Sequence, residues 1–172
     1  YTWKMDGFSC YIKFIDNKMY IYIKDALTLN GQFVSKRDVP WIITNIKYPD
    51  IEINNIKLFD NNIILFGEAI YKNGRIKIFL FDINLNNKQF DYAQRHEILT
   101  KILSEVKKIN ELKFTIKDKR IITPRKYGCT ISDMIVKDYS NNYQDVCVNH
   151  NLDECKFCKN SGQIDSSYYV NV

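Results

Sequence analysis

Lys4, Asp6 and Gly7 are the first residues whose types and spacing could do chemistry, and they stand directly ahead of a stretch rich in β-branched and aromatic residues. A neutral lysine amine is a good nucleophile, but its ordinary pKa is about 10.4. A site that uses Lys4 must therefore lower that pKa by desolvation or by nearby positive charge. Gly7 would let another backbone approach closely. The same pattern also fits a surface turn that carries a lysine.

A second group of residues with ligand chemistry lies near the C-terminal end, where Cys147-x-x-His150 is followed after four residues by Cys155-x-x-Cys158. Thiolates and an imidazole in two such short loops can converge tetrahedrally on Zn²⁺. The ion could also order a tail that is otherwise too polar to fold. We expect a structural zinc site from this spacing alone; the alternative is a set of incidental reduced cysteines.

Two β-hairpins are predicted in the first half of the sequence, and they are the elements that must position Lys4 and Gly7. Their strands are rich in β-branched and aromatic residues at 8–14 and 18–24 for the first, and at 62–71 and 75–83 for the second. The turns are Asp16-Asn17 and Lys72-Asn73-Gly74, because Asp, Asn and Gly tolerate positive φ.

One amphipathic helix is predicted after the hairpins. Asp91 followed by Gln94 resembles a capping box, and Lys107 and Lys108 suit the negative C-terminal end of the helix dipole. Apolar residues recur at helical spacing at Ile98, Leu99, Ile102, Leu103 and Val106.

Short strands are expected beyond the helix, near 112–116 and 132–136, and the composition turns polar from about Tyr139. The pattern predicts an α+β fold built on antiparallel sheet. We expect a core at residues 1–138 and a separate Cys/His-containing tail at 139–172.

Three motifs in this order resemble those of covalent nucleotidyltransferases, the superfamily of mRNA capping guanylyltransferases and ATP-dependent polynucleotide ligases. The lysine motif Lys-x-Asp-Gly is similar to Lys4–Gly7, and an acidic residue within a strand is similar to Phe66-Gly67-Glu68-Ala69. A strand ending in Phe-Asp-Ile/Leu resembles Phe79-Leu80-Phe81-Asp82-Ile83. The run 64–69 is especially similar to the large subunit of poxvirus-type capping enzymes. The surroundings of Lys4 also resemble a baculovirus late expression factor of the capping type.

The resemblance covers residues 1–137 and implies a nucleotidyltransferase core in which Lys4 attacks the α-phosphate of a nucleoside triphosphate. Asp6 would belong to the same catalytic motif as Lys4. Glu68 would contact ribose or metal, unless it is simply the solvent side of an amphipathic strand. Phe79 or Phe81 would stack on the purine, although both could equally be core residues. The implied catalytic metal is Mg²⁺ or Mn²⁺, which would neutralise charge on the phosphates.

Asp133 is the best candidate for the fourth motif, an acidic residue followed by Gly and a strand, and would help to bind the nucleotide. Met134 stands where Gly is expected, which weakens this assignment. Ser9 stands where the family often has an arginine after the lysine motif. Poxvirus-type enzymes also lack that arginine.

Two features of the family have no counterpart in the sequence. The final Lys-x-Lys motif is missing, since Lys156 and Lys159 are spaced differently, and the C-terminal OB-fold has no room. Because Tyr1 lies only three residues ahead of Lys4, we expect this chain to be an incomplete core that belongs to a larger protein.

These likenesses favour an mRNA capping guanylyltransferase domain that forms lysyl-GMP from GTP and passes GMP to a 5′-diphosphate RNA end. One alternative is an ATP-dependent nucleic-acid ligase. Another is a non-catalytic scaffold that binds RNA or associates with a polymerase. The expected partners are GTP, an RNA 5′ end, and a viral RNA polymerase or a capping-enzyme subunit.

Composition excludes other classes of protein. With 45% hydrophobic residues, 10 Phe and 12 Tyr, the 172-residue chain can build a core, so whole-chain disorder is excluded. No apolar run approaches the about 18–20 residues of a membrane span. The net charge of +5 suits a polyanionic partner, although scattered lysines also suit a solvated surface.

The cellular setting is also constrained. Five cysteines, an odd number, argue against a secreted disulfide framework and favour a reducing, intracellular compartment. Abundant Ile, Lys, Asn and Tyr indicate an AT-rich genome, such as that of a large DNA virus or of some protists. If the protein is viral, we expect it in the host cytoplasm or the virion.

Overall fold

A computed structural model describes residues 1–24, 26–27, 33–35, 40–53, 55–60, 62–72, 75–85, 90–111, 129–140 and 169–170. The chain divides into two compact units. We call Tyr1–Met5 with Lys137–Val172 the terminal unit, and Asp6–Val136 the sheet unit. Each unit is considered by itself.

The described residues form the following strands: β1 (Thr2–Trp3), β2 (Phe8–Ile15), β3 (Lys18–Ile23), β4 (Ala26–Leu27), β5 (Phe33–Ser35), β6 (Trp41–Ile43), β7 (Glu52–Ile53), β8 (Ile56–Lys57), β9 (Ile64–Lys72), β10 (Arg75–Asn84), β11 (Met134–Val136) and β12 (Tyr169–Val170). They also form the helix α1 (Tyr92–Glu111) and two short 3₁₀ helices, Leu58–Asp60 and Ile131–Asp133. No described helix is long and apolar enough to cross a membrane.

A six-stranded sheet dominates the sheet unit, with the strand order β11-β10-β9-β2-β3-β6. Five of these strands are antiparallel to their neighbours, whereas β11 runs parallel to β10. The predicted α+β class is confirmed, and the sheet is mixed, because one of its five strand pairings is parallel. The reason is the long connection through α1, because a crossover with a helix returns the chain in the same direction.

Both predicted hairpins are present. In the first, β2 and β3 pair around Asp16 and Asn17, whose φ values of 49° and 57° fit a type I′ turn. In the second, β9 pairs with β10, while its predicted turn at Asn73-Gly74 lies outside the described residues. The register of this hairpin shifts between Leu80 and Asp82, which leaves one extra residue on β10.

The predicted helix is confirmed, including its start. The N–H of Gln94 donates to Oδ1 of Asp91 at 2.8 Å, and the N–H of Asp91 donates to Oε1 of Gln94 at 3.0 Å. These two bonds form a reciprocal capping box. All five apolar residues predicted from the helical spacing are buried.

The strands predicted after the helix have different outcomes. The strand predicted near 132–136 begins at Met134, because the preceding Ile131–Asp133 forms a 3₁₀ turn. The one predicted near 112–116 lies outside the described residues.

The end of the helix is fixed by a buried amide. Oδ1 of Asn110 accepts a hydrogen bond from the N–H of Lys47, and Nδ2 of Asn110 donates to the carbonyl of Lys47, each at 3.0 Å. Asn110 is 3% exposed, so this pairing satisfies polar groups that would be costly to leave unpaired.

The sheet has two different faces. We call the face that packs against α1 the covered face; its buried residues include Cys10, Ile12, Met19, Ile21, Leu65, Ile78, Leu80 and Met134. We call the other side the open face; its residues, by alternation and cross-strand pairing, include Ser9, Tyr11, Lys13, Lys18, Tyr20, Tyr22, Phe66, Glu68, Phe79 and Ile135.

Candidate functional site

Gly7 and Glu68, which lie 61 residues apart in the sequence, are in contact in the sheet unit. Pairing of β2 with β9 places Phe8 opposite Ala69 and Ser9 opposite Glu68, so Gly7 approaches the same stretch of β9. Its N–H donates to Oε1 of Glu68 at 3.1 Å, in a solvent-exposed position. Two motifs that were predicted separately therefore meet.

The close approach explains why residue 7 is glycine. A Cβ atom there would lie 2.6 Å from the carbonyl oxygen of Ala69 and 2.9 Å from Cγ of Glu68. The first of these atoms belongs to a paired strand and cannot rotate away. Gly7 is thus required by contact with β9, as close backbone approach commonly requires.

Phe79 lies beside Glu68 on the open face. The two residues are direct partners in the β9–β10 pairing, and Ser9 pairs with Glu68 on its other side. Side chains of such cross-strand partners are about 4.5–5.5 Å apart at Cβ. Glu68 and Phe79 are half-buried, whereas Ser9 is exposed. A carboxylate and an aromatic ring are therefore neighbours on an accessible surface.

Phe81 has a different setting from Phe79. It is the extra residue of the β10 bulge, because Leu80 pairs with Gly67 and Asp82 pairs with Phe66. Its carbonyl accepts a hydrogen bond from the hydroxyl of Tyr92 at 2.9 Å. The bulge breaks the two-residue alternation that would otherwise place Phe79 and Phe81 on the same face.

Asp82, which follows this bulge, links the sheet to the helix. Its carboxylate accepts two hydrogen bonds from the Arg95 guanidinium, at 2.8 and 3.2 Å, and a third from the N–H of Ile83. The hydrogen bonds to Asp82 raise the pKa of Arg95 above its ordinary value. Asp82 thus holds α1 against β10, a role that its place in the motif did not reveal.

Asp133 is engaged by its own turn. It is 8% exposed, and its Oδ2 accepts hydrogen bonds from the N–H and the hydroxyl of Thr130, at 2.8 and 2.9 Å. Met134, at the position where the family has glycine, is fully buried and pairs with Ile78. Asp133 lies two residues ahead of Ile135, the neighbour of Phe79.

Lys4 and Asp6 are both exposed, and they belong to different units: Lys4 to the terminal unit and Asp6 to the sheet unit. Within the terminal unit, the Tyr1 ammonium donates to the carbonyl of Ser140 at 2.7 Å and the hydroxyl of Thr2 donates to the carbonyl of Asp138 at 2.9 Å. These bonds fix the backbone immediately before Lys4.

Cys10 lies on the covered face and pairs with Gly67 on β9. Glu68 is the next residue of β9. Burial, together with the nearby Glu68 and Cys129, raises the pKa of its thiol from 9.0 to about 12. Cys10 is consequently a neutral core residue at physiological pH. Sequence reasoning counted it only as a reduced cysteine.

Three tyrosines on the open face were also missed by sequence reasoning: Tyr11, Tyr20 and Tyr22. The available sign was their alternation with lysine along both strands of the first hairpin. The rings of Tyr11 and Tyr22 are stacked, with centroids 4.6 Å apart and planes inclined by 8°.

The predicted zinc ligands Cys147, His150, Cys155 and Cys158 lie outside the described residues. Among the residues that are described, no group of three or more His, Cys, Asp or Glu side chains is placed to hold a metal ion. A magnesium ion that enters with a nucleotide needs fewer protein ligands, because the phosphates supply some of its oxygens.

In comparisons with known proteins, no protein-family model matches the chain and no curated protein matches it significantly.

Proposed function

We propose that the protein is an mRNA capping guanylyltransferase, with Lys4 as the nucleophile and GTP as the substrate. The observation that supports this most is the hydrogen bond from Gly7 to Glu68. It joins the end of the lysine motif to the acidic strand motif, although 60 residues separate them in sequence.

The proposed reaction has two steps. The neutral Nζ of Lys4 attacks the α-phosphorus of GTP; an N–P bond forms, the bond to pyrophosphate breaks, and the amine loses a proton. The resulting lysyl-GMP is then attacked by the terminal phosphate oxygen of a 5′-diphosphate RNA end, which releases the lysine. Covalent catalysis of this kind divides one difficult transfer into two easier ones.

Glu68 has a positioning role in this proposal. By accepting the N–H of Gly7, it fixes the glycine that ends the lysine motif. Its position on the open face also leaves it available to the ribose. Asp6 completes the lysine motif from an exposed position.

Phe79 is the better candidate of the two phenylalanines for stacking on guanine. It is the cross-strand neighbour of Glu68, so a base against its ring would place the attached ribose near that carboxylate. Phe81, in the bulge, lacks this relation. Mg²⁺ or Mn²⁺ bound with GTP would neutralise charge on the phosphates.

A non-catalytic scaffold is the second candidate function, and the surroundings of Asp133 favour it. Both hydrogen bonds at its Oδ2 come from Thr130, and the adjacent Met134 is buried where the family has glycine. These features, with the missing Lys-x-Lys motif, would suit a fold kept for binding RNA or a polymerase.

Covalent labelling separates these functions. The full chain is incubated with GTP or ATP labelled at the α-phosphate, with Mg²⁺ or Mn²⁺, and resolved on a denaturing gel. We expect an acid-labile label from GTP that is absent in Lys4→Ala and Lys4→Arg. Lys101→Ala, a change at an exposed helix residue, is the matched control and should retain it. Labelling by ATP alone would indicate a ligase, and no label from either nucleotide would favour the scaffold.

The zinc site remains a prediction for the tail. Metal analysis of the purified chain should give one zinc per molecule, reduced in Cys155→Ser. Less than one zinc per chain in the wild type would remove the prediction, whatever the labelling experiment shows.

A further inference from the structure

The first hairpin presents a surface of tyrosine and lysine side chains on the open face, away from Gly7 and towards the turn. We call it the tyrosine–lysine surface; it consists of Tyr11 and Lys13 on β2 with Lys18, Tyr20 and Tyr22 on β3. The pairing places Tyr11 opposite Tyr22 and Lys13 opposite Tyr20. Aromatic and basic groups are therefore interleaved in two dimensions.

The aromatic part of this surface is organised for stacking. Tyr11 and Tyr22 already stack on each other, at 4.6 Å between centroids, and Nζ of Lys13 lies 5.7 Å from the centroid of Tyr11. Strand β6 begins at Trp41, opposite Ile21, so no residue of β6 is paired beside Tyr22. Tyr22 is half-buried, so part of its ring is accessible to another planar group.

The charge of the surface is of one sign. Lys13 and Lys18 point to the open face with no carboxylate on the same face of β2 or β3, and Lys24 follows β3 directly. Among the described acidic residues, Asp16 lies in the turn and Glu68 lies on the neighbouring strand beside Ser9. Such a surface is complementary to a polyanion that also carries planar rings.

Ile42 extends the surface on the side of β6. It pairs with Tyr20 and is 51% exposed, which is unusual for a large aliphatic residue. An apolar side chain beside a tyrosine offers an apolar surface against which a base can pack.

We infer that the tyrosine–lysine surface binds single-stranded RNA. Stacking on Tyr22 needs unpaired bases, because a duplex hides the faces of its bases in its own stack. Residues two apart on a strand are about 6.8 Å apart, so Lys18, Tyr20 and Tyr22 offer successive contacts along one chain of nucleotides.

The three tyrosine hydroxyls favour RNA over DNA. In the part of the chain that the structure describes, Tyr11, Tyr20 and Tyr22 have no hydrogen-bond partner for these groups. A phenol can both donate and accept, which matches the 2′-hydroxyl of ribose.

This inference does not depend on the proposed guanylyl transfer, because neither Lys4 nor Glu68 belongs to the surface. The two can therefore fail separately. Lys4→Ala should abolish the covalent GTP label and leave RNA affinity unchanged, whereas Tyr22→Ala should weaken RNA binding without removing the label.

The test is fluorescence anisotropy with a labelled oligouridylate about ten nucleotides long, within the site size of one binding module. We expect Tyr22→Ala to weaken binding by about 5- to 140-fold, the loss of one stacked base. Lys13→Gln and Lys18→Gln should each lower the slope of log affinity against log salt by about 0.7. Lys101→Gln, on the helix, is the charge-matched control and should change neither.

A more conservative variant tests the contribution of the hydroxyl apart from that of the ring. Tyr22→Phe keeps the ring and the fold, so it should retain binding while losing preference over oligodeoxythymidylate by about 2- to 10-fold.

Three results would overturn the inference. One is no RNA binding at low salt. Another is RNA binding by the Lys13, Lys18 and Tyr22 variants that equals the binding of the Lys101→Gln control, with circular dichroism showing that each variant is folded. The third is equal or tighter binding of the deoxy oligonucleotide or of an RNA duplex by the wild-type chain.

Discussion

The two faces of the central sheet are built from the same strands but differ in residue type, exposure and packing. On β2, Cys10 and Ile12 point to the covered face and are at most 3% exposed. Their neighbours Tyr11 and Lys13 point to the open face and are half-buried. The covered face is aliphatic and packs against α1, whereas the open face carries tyrosines, lysines and the Glu68–Phe79 pair.

This difference shows how one hairpin can build a core on one side and present polar and aromatic groups on the other. Because side chains alternate across a strand, neighbouring residues can face different environments without any change in the backbone. A substitution on the covered face should therefore change the free energy of unfolding. A substitution on the open face should mainly change binding or labelling.

The largest effect is expected from truncation in the covered face. Ile12→Ala removes a fully buried side chain and should lower the free energy of unfolding by about 2–5 kcal/mol. Ile42→Ala, on the open side and 51% exposed, should change it by about 0.5 kcal/mol or less. Denaturant unfolding measures both. Similar losses in the two variants would mean that the open face is covered in solution.

The next largest effect is expected at Gly7, where the lysine motif meets β9. Gly7→Ala puts a methyl group 2.6 Å from the carbonyl oxygen of Ala69, so the backbone must move, at a cost of about 1–3 kcal/mol. The same movement should weaken the covalent GTP label. Ser9→Ala, two residues later on the exposed side, is the control. A Gly7→Ala protein of unchanged stability would contradict this close approach.

Cys10 gives a pH-dependent effect of intermediate size. An unfolded thiol loses its proton near pH 9.0, but the native one retains it to about 12. Between these values the native state binds more protons than the unfolded state, so stability falls as pH rises. From about pH 8 to about pH 10 the loss due to Cys10 should be about 1.4 kcal/mol.

Comparison of the wild type with Cys10→Ala at both pH values isolates this contribution from the tyrosines, which titrate in both proteins. Equal pH dependence in the two proteins would show that the Cys10 thiol is not buried in solution.

The smallest effect on stability is expected at Glu68, on the open face. Glu68→Gln keeps an oxygen that can accept the N–H of Gly7, so the free energy of unfolding should change by about 0.5 kcal/mol or less. The covalent GTP label should nevertheless form more slowly, by about 10-fold, because the charged acceptor proposed for the ribose is lost. A large loss of stability with normal labelling would mean that Glu68 serves stability and not labelling, which contradicts the role that we assign to the open face.

Local patterns predicted the long strands β2, β3, β9 and β10 and the helix α1 of the sheet unit, but not the short strands β4 to β8. The Asp16-Asn17 turn, the alternation in 8–14 and 18–24, and the Asp91–Gln94 capping box each depend on residues close in sequence. The direction of β11 could not be predicted in this way, because it depends on the path of the chain through α1.

The candidate site was predictable only in part. Gly7, Glu68 and Phe79 were chosen from motifs, but their mutual positions depend on the β2–β9 and β9–β10 registers, which no local pattern specifies. The bulge at Phe81 and the bonds of Asp133 to Thr130 likewise needed the folded chain.

By itself, the sequence indicated the strands and the turn of the first hairpin, the strands of the second and the helix, and it named candidate side chains for nucleophile, carboxylate and ring. The tertiary structure alone decided that Glu68 accepts the N–H of Gly7, that Phe79 stands beside it, and that the tyrosines of β2 and β3 form one surface with the lysines. The physical reason is that propensity and periodicity act over a few residues. Register and strand order depend instead on burying the aliphatic side of every strand together against one helix.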